Sequence, residues 1–326
     1  MHSWEGDPHQ QATPEYGSLD PGSDLPPDRS LDPTAGGWRV LFAVVGGVLL
    51  ALLFASGVAR GAFADIARFL TLHGKREAAS PAVLSQHEIE SLDHQSAQKQ
   101  AELLLERDIN HYDGANDEIA ARAERWRGRV RLSPNLNSLI TTALNSNDLR
   151  VRAAGIEVDL AAMNMAKTSE SAERLLAQAE GGELSQRVWA LWGLGLLGNR
   201  GVEPERLTQV LVAQLQDSDP EVRHWAVEGL AYLGTDDAIA PLLQTLHDDA
   251  SPVVRERAAC SLAQSGMLTQ EQRRSAIPAL LAFADDSSLD AQTHTWIYQA
   301  LRDITGQSLP NDISAWRSWY SSSGGK

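Results

Sequence analysis

The sequence predicts an all-α fold, an α-solenoid of about five stacked helix pairs, and three observations point to it. A capped amphipathic helix reads out at 219–234, DPEVRHWAVEGLAYLG. Imperfect copies of it recur on both sides, with the matched arginines Arg187, Arg223 and Arg255 lying 36 and 32 residues apart. Between the copies lie further helical stretches, so each repeat is a helix pair, the signature of a solenoid.

Asp219 and Pro220 read as an N-cap and first helical position, because the carboxylate accepts orphan amide protons and proline has none to waste. Val222, Trp225, Ala226, Gly229, Leu230 and Leu233 then form one helical stripe, and Gly234 is the natural C-terminal cap. Ala226, Leu230 and Gly234 recur as Ala258, Leu262 and Gly266 after Arg255, and as Ala190, Leu194 and Gly198 after Arg187. Weaker copies begin at Val151-Arg152 and at Asp290. The first helices of the pairs are expected at 133–146, 169–180, 204–216, 236–247 and 270–285.

VRHWAVEGLAYLG, VRERAACSLAQSG and RVWALWGLGLLG resemble the second helix of HEAT repeats of the short bacterial type, also found in phycobilin lyases. Pro241 and Pro278 sit where that family often carries a proline in its first helix. The resemblance covers roughly residues 133–320 and implies a binding scaffold more than a reaction. It further implies that Arg152, Arg187, Arg223 and Arg255, with His294 in the fifth copy, form a ladder with turn carboxylates such as Asp148, Asp219 and Asp290. In such arrays the second helices line the concave surface. Three positions past the tryptophan site lie Trp192, Glu228, Cys260 and Gln299, and one turn earlier lie Val188, His224, Glu256 and Thr295. The expected partner-binding residues are Trp192, His224, Glu228, Glu256 and Gln299. Trp192 reads either as an exposed interface anchor or as packing against the neighbouring repeat.

The rest of the chain divides by composition. Residues 1–37 carry six prolines, seven acids and one arginine, Arg29, which predicts a disordered acidic tail. Residues 40–59 are twenty uncharged, aliphatic-rich positions between Arg39 and Arg60, which is about 30 Å of helix and predicts a transmembrane span over 38–60. A cleaved signal peptide competes, on Ala62-Phe63-Ala64, but the long acidic leader argues against it. Gly46, Gly47, Ser56 and Gly57 would permit a homodimer through this helix. Arg60, Arg68, Lys75 and Arg76 follow the span, so the positive-inside rule places the repeats in the cytoplasm of a bacterial inner-membrane protein. The opposing pattern is the single N-terminal span that anchors an exported domain. Residues 61–82 read as a juxtamembrane segment and hinge. Residues 83–132 are expected to form two helices, broken at Asp113-Gly114, that cap the solenoid or make a dimeric stalk. Residues 133–326 carry the repeats and a C-terminal cap rich in aromatics, Trp316, Trp319 and Tyr320.

The formal charge is -15, and no lysine- or arginine-rich face emerges, which excludes phosphate-driven nucleic-acid binding. A single cysteine, Cys260, excludes an intrachain disulfide and a cysteine-rich metal site. The histidine-glutamate pairs by which deoxyhypusine hydroxylase, a HEAT-repeat enzyme, holds iron are missing from the repeats; only His87-Glu88 has that form. No cofactor or metal site and no enzymatic activity are expected. The function expected is a membrane-anchored scaffold for a protein partner. The alternative is a HEAT-fold enzyme or small-ligand binder without a recognisable motif.

Overall fold

Helix caps and glycines divide the chain from Ala82 onward into a run of helices that pack pairwise. The computed structural model describes residues 82–324. The expected disordered tail, transmembrane span and juxtamembrane segment therefore lie outside the described residues. Among the described residues no helix is long and apolar enough to cross a membrane.

Three helices, not two, precede the repeats: α1 (Gln86–Leu92), α2 (Ala97–Ile109) and α3 (Ala115–Trp126). The extra helix exists because Ser85 and Glu88 form a reciprocal capping box, enough to start a short helix whose Leu92 is fully buried. Pairs follow: α4 (Pro134–Leu144) with α5 (Leu149–Ala162), α6 (Ser169–Gly181) with α7 (Leu184–Asn199), α8 (Pro204–Gln214) with α9 (Pro220–Leu233), and α10 (Ile239–Asp248) with α11 (Pro252–Ala263). The last pair is split. Its first helix breaks into α12 (Gln270–Ser275) and α13 (Ile277–Ala284), next to Pro278, whose ring lacks the amide a continuous helix needs. Its second helix is α14 (Ala291–Thr305), and α15 (Ile313–Ser322) closes the end with Trp316 fully buried.

Helix α9 follows its sequence closely. Asp219 accepts the Glu221 amide at 2.9 Å, Pro220 opens the first turn, and Gly234 ends the helix at φ +74°. Val222, Ala226, Leu230 and Leu233 are buried, each large aliphatic among them contributing about 1.5–3 kcal/mol. Helices α7 and α9 touch backbone to backbone. A Cβ on Gly229 would lie 2.7 Å from the Leu191 carbonyl oxygen, and one on Gly195 would collide with the Gly229 carbonyl. Two helical glycines here serve close approach.

The arginine ladder is present between consecutive repeats. Arg223 grips both oxygens of Asp249, at 2.7 and 2.9 Å, and donates to the carbonyls of Asp217 and Ser218. Arg255 repeats this on the carbonyls of Asp249 and Ala250, reaching Asp290 at 2.8 Å and Thr293 at 3.0 Å. Arg187 takes the Ala179 carbonyl and pairs with Asp217. A planar fork satisfies turn carbonyls on its own repeat and a carboxylate on the next, which fixes the stacking register. The carboxylates at the far end are Asp217, Asp249 and Asp290, so Asp219 caps its helix and takes no rung.

Arg152 departs from the pattern. It donates to the Ser146 carbonyl of its own turn and then to the carbonyls of Gln264, at 2.7 Å, and Gly266, beyond α11. Its helix α5 packs mainly on α2, α3 and α4, and joins α7 far more sparsely than α7 joins α9. The first pair thus belongs with α1–α3 in an N-terminal unit, and the regular stack begins at α6.

Candidate interaction face

Helix α5 is buried almost all round, with Val151, Ala154, Ile156, Val158 and Leu160 in the core. Of its four charged residues only Arg150, in the first turn, is exposed; Arg152, Glu157 and Asp159 are buried, each less than a tenth exposed. Each faces a different part of the stack. Arg152 meets the turn after α11. Glu157 pairs with Lys167 at 2.8 Å and lies 3.6 Å from Arg200 at the end of α7. Asp159 lies against the indole of Trp192 in α7, which lowers its carboxyl. Between these points the Leu144 carbonyl accepts the Tyr232 hydroxyl of α9 at 3.4 Å. Helix α5, with the end of α4, therefore runs from the turn after α11 past the last turn of α9 to the C-terminal half of α7.

This crossing divides the face expected to line the groove. Trp192 is half-buried: its ring stands edge-on to Tyr232, centroids 4.6 Å apart, and to Trp225 at 6.1 Å. Its indole lies against Asp159. Of the two sequence readings of Trp192, packing within the chain is the one the geometry gives.

Glu228 departs from the exposed position expected of it. It is 6% exposed and pairs with Arg257 of α11 at 2.6 Å, while its Oε2 meets no hydrogen-bond donor. Burial raises its carboxyl above the ordinary value, with Arg257 pulling the other way. His224 is half-buried beside Trp225, and loss of hydration, then the Arg257 charge, push its imidazole down to about 4. It is neutral at physiological pH.

Glu256 and Gln299 are exposed, Gln299 bonded to Asp303 and Arg302 along its own helix. The five residues thus do not form one open patch. Trp192 and Glu228 sit under or beside the α5 crossing. His224 and Glu256, with Val188 and Thr295, make up the N-terminal row of the second helices, which is exposed or half-exposed throughout.

The sequence reading missed Asp159, Tyr232 and Arg257, which build the covered half. One signal for Asp159 was available: Arg152 and Asp159, seven residues apart, share one helical face and Glu157 lies nearly opposite, so no single exposed stripe holds all three.

The descriptions of known families agree with this division. The family model for HEAT repeats matches residues 172–263 and, in an overlapping register, 208–302. HEAT repeats occupy this segment. The match starts inside α6, where the regular stack begins, and ends inside α14. No curated protein matches the chain. Among the described residues no group of three or more histidine, cysteine, aspartate or glutamate side chains is placed to hold a metal ion.

Proposed function

We propose that the chain is a membrane-anchored HEAT-repeat scaffold that holds a protein partner against the N-terminal row of its second helices. The observation that carries this reading is the row Val188, His224, Glu256 and Thr295, left open on four consecutive repeats while α5 covers the other half of the same face. Stacked repeats present such a row at fixed spacing, and the arginine ladder holds that spacing, so a partner meets a preorganised surface at small entropic cost. Neutral His224 and the aromatic edge of Trp225 offer an uncharged centre, with exposed Glu256 beside it favouring a partner that brings a positive charge. The apolar run 40–59 supplies the anchor, and the basic residues after it favour a cytoplasmic array.

The test uses exposed positions, because replacing Trp192 or Glu228 would disturb packing. Co-purification of crosslinked partners from membranes is compared between the wild-type chain and Glu256→Arg combined with Thr295→Arg. Loss of a partner present with wild type supports the placement, and unchanged recovery rejects it. The anchor and its orientation are read by labelling Ser323→Cys in a Cys260→Ser background with an impermeant thiol reagent. Protection in intact spheroplasts and labelling after lysis support a cytoplasmic array.

A further inference from the structure

A second site lies in the N-terminal unit, away from the repeat face. The end of α2, the start of α3 and the start of α5 enclose a cleft of about 320 Å³. Its walls carry Asp108, Asp113, Asp117 and Asp148, with Tyr112 and Val151 as apolar surface. Asp108 is only 5% exposed, yet its side chain accepts no hydrogen bond, and its Oδ2 is sealed from bulk solvent without a donor. Leaving a buried carboxylate oxygen unpaired costs about 1–3 kcal/mol or more for a charged group, which a native fold rarely retains without use. Arg150 opposes it by charge but gives it no hydrogen bond, because that guanidinium bends back onto Asp148 at 3.1 Å and stays largely exposed. His111 also leans on Asp148, at 3.7 Å, and its ring gives the Asp108 carboxyl no hydrogen bond.

The chemistry of the cleft selects a cation of a particular kind. No three carboxylates converge on one point, as a divalent metal requires, and the described residues hold no such group anywhere. A single deep carboxylate with acids around the mouth instead suits an organic cation, whose head donates to the carboxylate. The C-terminal end of α2 adds the negative end of its dipole on the same side.

We propose that this cleft binds one organic cationic head group, an alkylammonium or a guanidinium, seated against the buried carboxylate of Asp108. Burial and the nearby Asp148 hold that carboxyl up to about 6 in the empty chain, and the bound cation draws it back toward the ionised form. The head arrives either on a free amine or on a lysine or arginine side chain of a protein.

The test is an NMR titration of the purified full-length chain, following the amides of Asn116 and Val151, with propylammonium, methylguanidinium, blocked Gly-Lys-Gly and Gly-Arg-Gly peptides, and magnesium. Saturable shifts with an organic cation, weakened at least tenfold by Asp108→Asn, are expected. Tighter binding of the peptides than of the free cations assigns the head to a protein side chain, and the reverse order assigns it to a free amine. If Asp108→Asn fails to give a folded spectrum, Asp148→Asn, which keeps the helix cap, is expected to weaken the same binding severalfold. Absence of saturable shifts with every organic cation overturns the proposal. So does binding that neither variant weakens, or magnesium binding more tightly than all of them.

Discussion

Asp159 in α5 lies against the indole of Trp192 in α7, and this contact helps tie the N-terminal unit to the repeat stack at the residue that the sequence would have left open to a partner. Loss of hydration pushes the Asp159 carboxyl up to about 7, the Trp192 contact opposing it. A carboxyl whose folded value exceeds its unfolded value near 3.9 stabilises the fold fully below about pH 4, and that contribution drains away as pH rises through about 7. Attachment of α5 is therefore expected to weaken between pH 5 and 8. Asp159→Asn should flatten this slope and stabilise the chain at pH 8 by about 1–3 kcal/mol, read by urea unfolding at both pH values. Equal slopes in the two proteins would remove Asp159 from the account.

Arg223 and Asp249 form the best-satisfied rung of the ladder, with side chains 13% and 5% exposed. Arg223→Ala leaves a buried carboxylate and two turn carbonyls without their donor. The expected loss is about 3–5 kcal/mol in urea unfolding, and Arg223→Lys should recover only part of it, since one ammonium cannot grip both oxygens. A loss below about 1 kcal/mol would mean that stripe packing alone sets the repeat spacing.

Gly195 and Gly229 report the closest helix approach. Gly229→Ala inserts a methyl against the Leu191 carbonyl and the Leu211 side chain, each 2.7 Å away. Overpacking of this kind should cost about 1–3 kcal/mol. Gly181→Ala is the contrasting control, because no atom lies within 4 Å of its added Cβ; helix propensity predicts a gain of up to about 1 kcal/mol. Thermal melts of both variants make the comparison.

His247 joins α10 to the turn after α13, its ring between Asp248 and Asp286, at 3.0 Å from the latter, and over Phe283. Hydrogen bonds to Asp248 and then Asp286 raise its imidazole above the usual value, while bonds from Ser288 and then His247 lower Asp286 to about 2. The histidine contribution is complete below about pH 6.5 and is lost as pH rises through its elevated value. The Asp286 contribution is present above about 4 and is lost as pH falls toward 2. His247→Gln should therefore narrow the difference in stability between pH 6 and pH 9, and salt should weaken the wild-type effect. Circular dichroism melts across that range decide it.

The repeats were legible because their signals are local. A cap at Asp219, a 3.6-residue stripe through Leu230 and a terminal glycine at 234 fix a helix whatever surrounds it, and copying the pattern fixes the stack. The first pair was legible as a pair, but not its neighbours, for a physical reason. The pattern at Arg152 says that α5 is a second helix, but which neighbours it packs on depends on contacts such as Arg152 to Gly266, 114 residues away. No periodicity encodes that distance. The candidate face was half legible on the same grounds: offsets from the arginine place Glu256 and Gln299 outward correctly, whereas Trp192 and Glu228 are buried by partners, Asp159 and Arg257, contributed by other helices.

The crossing of α5 over the stack is tested most directly by amide hydrogen exchange on the full-length chain. The amides of residues 154–161 are expected to exchange as slowly as those of 190–197 at pH 5, since both segments are buried almost throughout, and to lose protection toward pH 8 as Asp159 ionises. Exchange in 154–161 at the rate of an exposed helix at both pH values, with 190–197 still protected, would contradict the account.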